Sequence, residues 1–157
     1  MRERLCTRAA YRAVLGGRST WTLEVMANTI DAAARWTCYL ASRSYVPRAP
    51  LIQQHFASGT ISRLCDCGCQ SFDLTIPADA TLEPLMPASE RGGCALELCY
   101  YIGVPQDPHN FVCMRVFVDR RGYLAGIDVD YRANSAPMPE KVDLLEPPFH
   151  IHGALLR

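Results

Sequence analysis

The chain lacks several features that would assign it to a functional class directly. No apolar run approaches the ~20 residues of a membrane-spanning helix. The phosphate loop G-x-x-x-x-G-K-[ST], the G-x-S-x-G elbow and the H-E-x-x-H helix are all missing. Basic patches interleaved with aromatic residues are missing as well. We therefore expect no membrane partner and no nucleic-acid partner, and we predict that the protein is not an enzyme.

Lysine is nearly absent, because Lys141 is the single lysine among 16 basic residues. The 157 residues, of which 49% are hydrophobic and 20% charged, predict one globular domain. The formal net charge is zero, but residues 1–50 carry eight Arg against three acidic residues, so the remainder is acidic. An acidic face could bind a basic protein partner, although charged residues that are simply exposed to solvent explain the same uneven charge distribution.

The first 19 residues also lack the apolar segment of a secretory signal. Their sequence, MRERLCTRAAYRAVLGGRS, is rich in Arg and Ala, which is typical of an organelle transit segment. A natural N-terminal helix, or a start site assigned too far upstream, fits this composition equally well. Without a secretory signal, the eight cysteines are predicted to be reduced thiols, and the protein is expected to be cytoplasmic.

Apolar periodicity predicts two helices. The first extends from Trp21 to about Ser42, with an apolar stripe at intervals of three or four residues: Met26, Ile30, Ala33, Thr37 and Leu40. The second covers residues 50–58, and Gly59 is suited to end it. His55 in this helix is interpreted as a histidine at the edge of the core, not as a ligand. We place a boundary between an N-terminal helical extension, residues 1–49, and an α+β domain, residues 50–157.

After Gly59 the pattern changes to the alternation typical of β-strands. Strands are predicted at residues 60–64, 70–76, 94–102, 111–119 and 123–131. A type I turn from Asp119 to Gly122 would join the last two in a hairpin. The predicted fold is therefore α+β, an antiparallel sheet of four to five strands covered on one face by the N-terminal helix. The tail from residue 133 is not assigned.

The most distinctive stretch is LCDCGCQSF, which has cysteines at three alternate positions, Cys65, Cys67 and Cys69. It connects two predicted strands, and Gly68 can adopt the positive φ of a tight turn. Thiolates suit zinc, so the three cysteines are candidate metal ligands. A fourth ligand would come from one of three distant histidines, His109, His150 or His152.

Two other interpretations of the cysteine loop remain. Strict alternation would send Cys67 to the side opposite Cys65 and Cys69, so that the thiols would only fill a packed turn. Redox catalysis would need a lowered thiol pKa, whereas Asp66 is expected to raise it, and no C-x-x-C motif is present. The remaining five cysteines are interpreted as core or sheet-face residues. The charged residues on the polar strand faces are interpreted as ion-paired surface, not as acid–base catalysts: Asp73, Glu97, Arg115, Asp128 and Asp130.

Three stretches carry a resemblance to known proteins: ISRLCDCGCQSFDLTI, FVDRRGYLAGIDVDY and PMPEKVDLLEPP. Together they resemble a loosely defined set of small uncharacterised bacterial proteins that carry a C-x-C-G-C loop ahead of a strand. The resemblance covers roughly residues 50–147. It implies a bacterial cytosolic domain and carries no activity. The proline usually found after the last cysteine of that loop is Gln70 here.

The sequence thus predicts a small non-enzymatic binding or interaction protein, for instance a neutraliser or an accessory subunit that offers an acidic sheet face to a basic partner. The alternative is a zinc-binding domain that uses Cys65, Cys67 and Cys69. A third hypothesis is an enzyme that uses one of the thiols. Metal content separates the first two, because a closed zinc site holds about one equivalent.

Overall fold

The computed structural model describes residues 23–139 and 141–157, with side chains from residue 31 onward. The predicted transit-like segment, residues 1–19, lies outside them. The helices and strands are α1 (Leu23–Ala41), α2 (Ala49–Ser58), β1 (Thr60–Leu64), β2 (Phe72–Thr75), β3 (Gly93–Tyr101), β4 (Phe111–Val118), β5 (Leu124–Tyr131) and β6 (His150–His152). Neither of these helices has the length and apolarity needed to cross a membrane.

The strands form one six-stranded sheet in the order β1-β2-β5-β4-β3-β6, and every neighbouring pair is antiparallel. The α+β class and the antiparallel pairing from Ala95 to Tyr131 are confirmed. The prediction of four to five strands missed β6, which pairs with the edge of β3. Two helices, not one, contribute to the core beside the sheet.

Helix α1 uses the predicted apolar stripe to join the core. Ala33, Thr37 and Leu40 are fully buried, and Trp36 between them is 3% exposed. Ala33, Trp36 and Leu40 belong to the same buried cluster as Leu98 of β3. The side chains of Met26 and Ile30 lie outside the described residues. The core therefore draws on residues on both sides of the boundary placed after residue 49, which stays a prediction.

Helix α2 ends at the predicted glycine and carries a buried histidine. The N–H of Gly59 donates to the carbonyl of His55 at 2.9 Å. The N–H of Leu124 donates to Nδ1 of His55 at 3.1 Å, so Nε2 carries the ring proton and donates to the carbonyl of Glu83 at 2.7 Å. Burial lowers the pKa of His55. His55 is a core histidine, as its position in the sequence predicted.

Two register shifts change which side chains face the core. One lies between Cys94 and Leu96 of β3, and the other lies at the end of β4, opposite Leu124. An extra residue in one strand reverses the alternation beyond it. Cys94 is therefore exposed, whereas the sequence placed it with the core side of its strand. Leu124 is buried, whereas strict alternation from the buried Ile127 would bury Tyr123, which is only half-buried.

Candidate metal centre

The cysteine loop is the connection between β1 and β2, at one edge of the sheet. The N–H of Cys65 donates to the carbonyl of Ser71 at 2.9 Å and closes the loop. Within it, Gly68 and Gln70 have φ values of 85° and 69°, both in the left-handed region. A Cβ on Gly68 would lie 3.0 Å from Cβ of Pro137. Positive φ and close packing both explain a glycine at this position.

The three thiols of the loop converge. Their sulfur atoms all lie within 4.8 Å of one another, and the sulfurs of Cys65 and Cys67 are 3.1 Å apart. The prediction that Cys67 faces away from the other two is wrong, because the alternation of an extended strand does not persist through residues with positive φ. The predicted ligands Cys65, Cys67 and Cys69 are therefore brought together.

None of the predicted fourth ligands joins this cluster. Among the described residues, the group of potential metal ligands contains the three cysteines and no histidine. His150 and His152 lie on β6, at the opposite edge of the sheet from β1. His109 lies between β3 and β4. The order of the strands thus separates these histidines from the loop, and the sequence alone does not give that order.

The three thiols differ in exposure and acidity. Cys67 is exposed, Cys65 is half-buried and Cys69 is buried. Hydrogen bonds from Cys69 first and Cys65 second lower the pKa of Cys67. Burial raises the pKa of Cys69 to about 12. Cys67 therefore ionises before Cys69, although Asp66 was expected to raise the pKa of Cys67.

The three cysteines line a cavity of about 300 Å³. Its remaining lining residues are Arg63, Ser71, Phe72, Asp73, Asp128 and Asn134. Arg63 and Asp73 form an exposed ion pair at 2.9 Å. A metal ion held by three sulfurs would present its fourth position to this cavity, where a water molecule or a small ligand can complete a tetrahedron.

Helix α1 anchors the loop through Gln70. The side-chain oxygen Oε1 of Gln70 accepts hydrogen bonds from Nε1 of Trp36 at 2.8 Å and from Nη2 of Arg35 at 2.7 Å. These residues were not identified from the sequence, because they are 34 and 35 positions from Gln70. The glutamine itself was the only sequence signal for this contact. α1 therefore positions the candidate site besides covering the core.

A charged network extends from the loop across the sheet. We call the side of the sheet that bears it the polar face, defined by Ser71, Asp73, Glu97, Cys99, Cys113, Arg115, Asp128, Asp130, His150 and His152. Arg115 lies at its centre, and its nitrogens are 2.9, 3.0 and 3.5 Å from carboxylate oxygens of Glu97, Asp128 and Asp130. The interpretation of these carboxylates as ion-paired is confirmed.

The network reaches the cysteine loop through one hydroxyl. Ser71 Oγ donates to Asp128 at 2.8 Å and lies 3.1 Å from the sulfur of Cys69. The N–H of Val129 donates to the same hydroxyl oxygen at 2.8 Å. Asp128 also holds Arg115, so the buried thiol of the loop is connected to the centre of the polar face.

A second cysteine cluster lies at that centre. Cys99 and Cys113 are directly opposite each other on β3 and β4, with Cα atoms 4.1 Å apart, and they form a disulfide. The prediction that the cysteines are reduced is wrong for this pair in the structure, because the register of two strands brings together residues that are 14 positions apart. Glu97 lies in the same cluster.

Comparison of the chain with protein-family models, with curated proteins and with solved structures gave no match. The resemblance to bacterial proteins with a C-x-C-G-C loop stays a prediction. Function is therefore inferred from the geometry of the two cysteine clusters and of the polar face.

Proposed function

We propose that the protein is a small non-enzymatic metal-binding protein whose loop holds zinc through Cys65, Cys67 and Cys69. The observation that supports this function is the convergence of the three sulfurs within 4.8 Å, beside a cavity that the three cysteines line. Sulfurs bound to a tetrahedral zinc ion at about 2.3 Å lie roughly 3.8 Å apart. The sulfurs of Cys65 and Cys67, which are 3.1 Å apart, would separate by about 0.7 Å to reach this value.

The chemistry of the loop favours a borderline-soft ion over magnesium or calcium. Thiolates select zinc and related metals, whereas hard cations prefer oxygen ligands. Cys67 supplies the first thiolate, because its pKa is lowered by its two neighbours. The carboxylates of Asp73 and Asp128 line the same cavity and favour the approach of a dication. The fourth coordination position belongs to water or to a small ligand.

Metal content tests the proposal. Protein purified without chelator, with its Cys99–Cys113 disulfide intact, is expected to hold about one equivalent of zinc by plasma mass spectrometry. The Cys67→Ser variant is expected to lose it. Cys94→Ser is the matched control, because Cys94 is an exposed thiol outside the loop, and it should keep the metal. Wild-type protein that holds no zinc after equilibration with excess metal and dialysis would contradict the proposal.

A protein partner on the polar face is the second candidate function. Four carboxylates of this face, Asp73, Glu97, Asp128 and Asp130, pair with only two guanidinium groups: Arg115 of the face and Arg63 of the neighbouring strand β1. Phe149, next to β6, is 47% exposed and stacks on Tyr101, which lies on the same side of β3 as Glu97 and Cys99. Excess negative charge beside apolar side chains suits a basic partner.

Charge reversal tests this second function. Co-purification with the product of a neighbouring gene should be lost in an Asp73→Lys variant and kept in an Asp79→Lys variant, whose carboxylate lies outside the polar face. Equal retention by both variants would exclude this face as the binding surface. We also propose a cytoplasmic location, where low-molecular-weight thiols keep the loop cysteines reduced. Cell fractionation tests that location.

A further inference from the structure

Cys99 and Cys113 have the surroundings of a metal site as well as of a disulfide. Glu97 offers a carboxylate oxygen, and this oxygen and the two sulfurs lie within 4.8 Å of one another. The hydrogen bond from Nε of Arg115 uses Oε1 of Glu97. A carboxylate has two oxygens, so Glu97 can hold Arg115 with one and a metal ion with the other.

Strand register adds a residue on each side of the cysteine pair. His150 of β6 lies opposite Cys99, and Asp130 of β5 lies opposite Cys113. Directly opposite residues of antiparallel strands place their side chains on the same face, with Cβ atoms about 5 Å apart. Imidazole, thiol, thiol and carboxylate therefore form one row across four strands of the polar face.

A buried carboxylate oxygen without a partner lies on the strand next to the cysteine pair, and its negative charge favours a cation nearby. Oδ1 of Asp130 is buried and has no hydrogen-bond partner among the described residues. The other oxygen of Asp130 is 3.5 Å from Arg115, at the limit of an ion pair. In the disulfide form the two sulfurs carry no charge, so they attract no cation towards that carboxylate.

We propose that reduction of the Cys99–Cys113 disulfide opens a second site for a zinc-class ion, bound by Cys99, Cys113 and Glu97. His150 completes the site from the neighbouring strand; its exposed side chain lies outside the 4.8 Å group and must turn towards the ion. Two thiolates with one imidazole and one carboxylate are a typical zinc donor set. A cellular dithiol reduces the bond, giving two electrons and two protons and becoming a disulfide itself. The metal ion then displaces the two thiol protons. The two sulfurs cannot form the disulfide and bind the ion at the same time. Metal binding at this site therefore depends on the redox state of Cys99 and Cys113.

Zinc stoichiometry in two redox states tests whether reduction of the disulfide opens the second site. The variant with all three loop cysteines changed to serine isolates the second site from the loop. It should hold no zinc as the disulfide, and about one equivalent after treatment with a trialkylphosphine, which takes an oxygen atom from water as it reduces the bond. Wild-type protein should gain one equivalent on the same treatment. A reduced loop variant that binds no zinc overturns the proposal and leaves the loop site untouched.

A surface variant shows which histidine takes part, without disturbing the buried cysteines. His150 is exposed, and so is His109. His150→Gln in the reduced loop variant should weaken zinc binding by at least about tenfold, because loss of even an outer-shell partner costs roughly 10- to 100-fold in affinity. His109→Gln should leave the affinity unchanged. Equal affinities for the two variants would overturn the assignment of His150.

Discussion

The two faces of the sheet use the same strands for different purposes. Leu96, Leu98 and Tyr100 alternate along β3 and are all fully buried in the core. Between them, Glu97 and Cys99 belong to the polar face, where Glu97 pairs with Arg115. Successive residues of one strand thus serve packing and chemistry in turn.

This difference separates stability from function. The core face stabilises the fold through apolar contacts that are insensitive to pH and redox state. The polar face and the cysteine loop beside it hold the disulfide, the thiols, the carboxylates and the exposed histidines, which respond to metal ions, protons and reductants. Substitutions on the polar face should therefore change binding more than folding, and substitutions on the core face should do the reverse.

The largest effect is expected from truncation on the core face. Leu98→Ala removes a fully buried side chain from the central cluster. It should lower the free energy of unfolding by about 2–5 kcal/mol, measured by urea denaturation. Leu156→Ala is the matched control, because Leu156 is 46% exposed, and its effect should stay within about 0.5 kcal/mol. Similar losses for the two variants would contradict the assignment of the core face.

Local patterns predicted most of this core. The stripe of Ala33, Thr37 and Leu40 is buried as its spacing indicated. Strand β6 was missed because HIH is short and its pairing with Glu97 and Cys99 is a long-range contact. The register shifts were also missed, since a bulge depends on the partner strand and leaves no mark in local periodicity.

The site was predicted in its residues and not in its geometry. The loop cysteines are conspicuous in the sequence, but their convergence depends on positive φ at Gly68 and Gln70. Glutamine has no sequence preference that indicates this conformation. The disulfide between Cys99 and Cys113 depends on register, which single-strand patterns do not fix.

A smaller effect on stability is expected at the centre of the polar face. Arg115→Met leaves the carboxylates of Glu97, Asp128 and Asp130 without their shared cation. The side chain of Arg115 is 31% exposed, so solvent screens part of the repulsion. A loss of about 1–2 kcal/mol is expected, and added salt should reduce it. Arg63→Met, whose ion pair with Asp73 is exposed, should lose less than about 1 kcal/mol.

If the losses from Arg115→Met and Arg63→Met are equal, the network does not act as a unit. A loss of 2–5 kcal/mol, the range expected for a core truncation, would mean that the polar face also determines stability. Either result would break the comparison between the two faces. Urea denaturation of both variants at low and high salt measures these losses in stability.

Zinc affinity of the loop should depend on pH. The pKa of Cys69 is raised to about 12, so its thiol is protonated at neutral pH and must release a proton when it binds metal. Higher pH lowers the competition from protons, so affinity should rise by about tenfold per pH unit for each proton released, between about pH 6 and 8. Competition with a chelator of known pH dependence measures this. An affinity that does not change with pH would mean that Cys69 is not a ligand.

The smallest effect, a change in zinc affinity, is expected where helix α1 of the core contacts the cysteine loop through Gln70. Gln70→Ala removes the oxygen that accepts from Trp36 and Arg35, so the loop loses its anchor on α1 while all three sulfurs remain. Zinc affinity should fall by up to about tenfold, at the low end of the range for an outer-shell change. Gln70→Glu keeps an acceptor oxygen in place and should stay within a few-fold of wild type. If Gln70→Ala binds zinc as tightly as Gln70→Glu, the loop holds its shape without α1, and the two faces are more independent than the hydrogen bonds to Gln70 indicate.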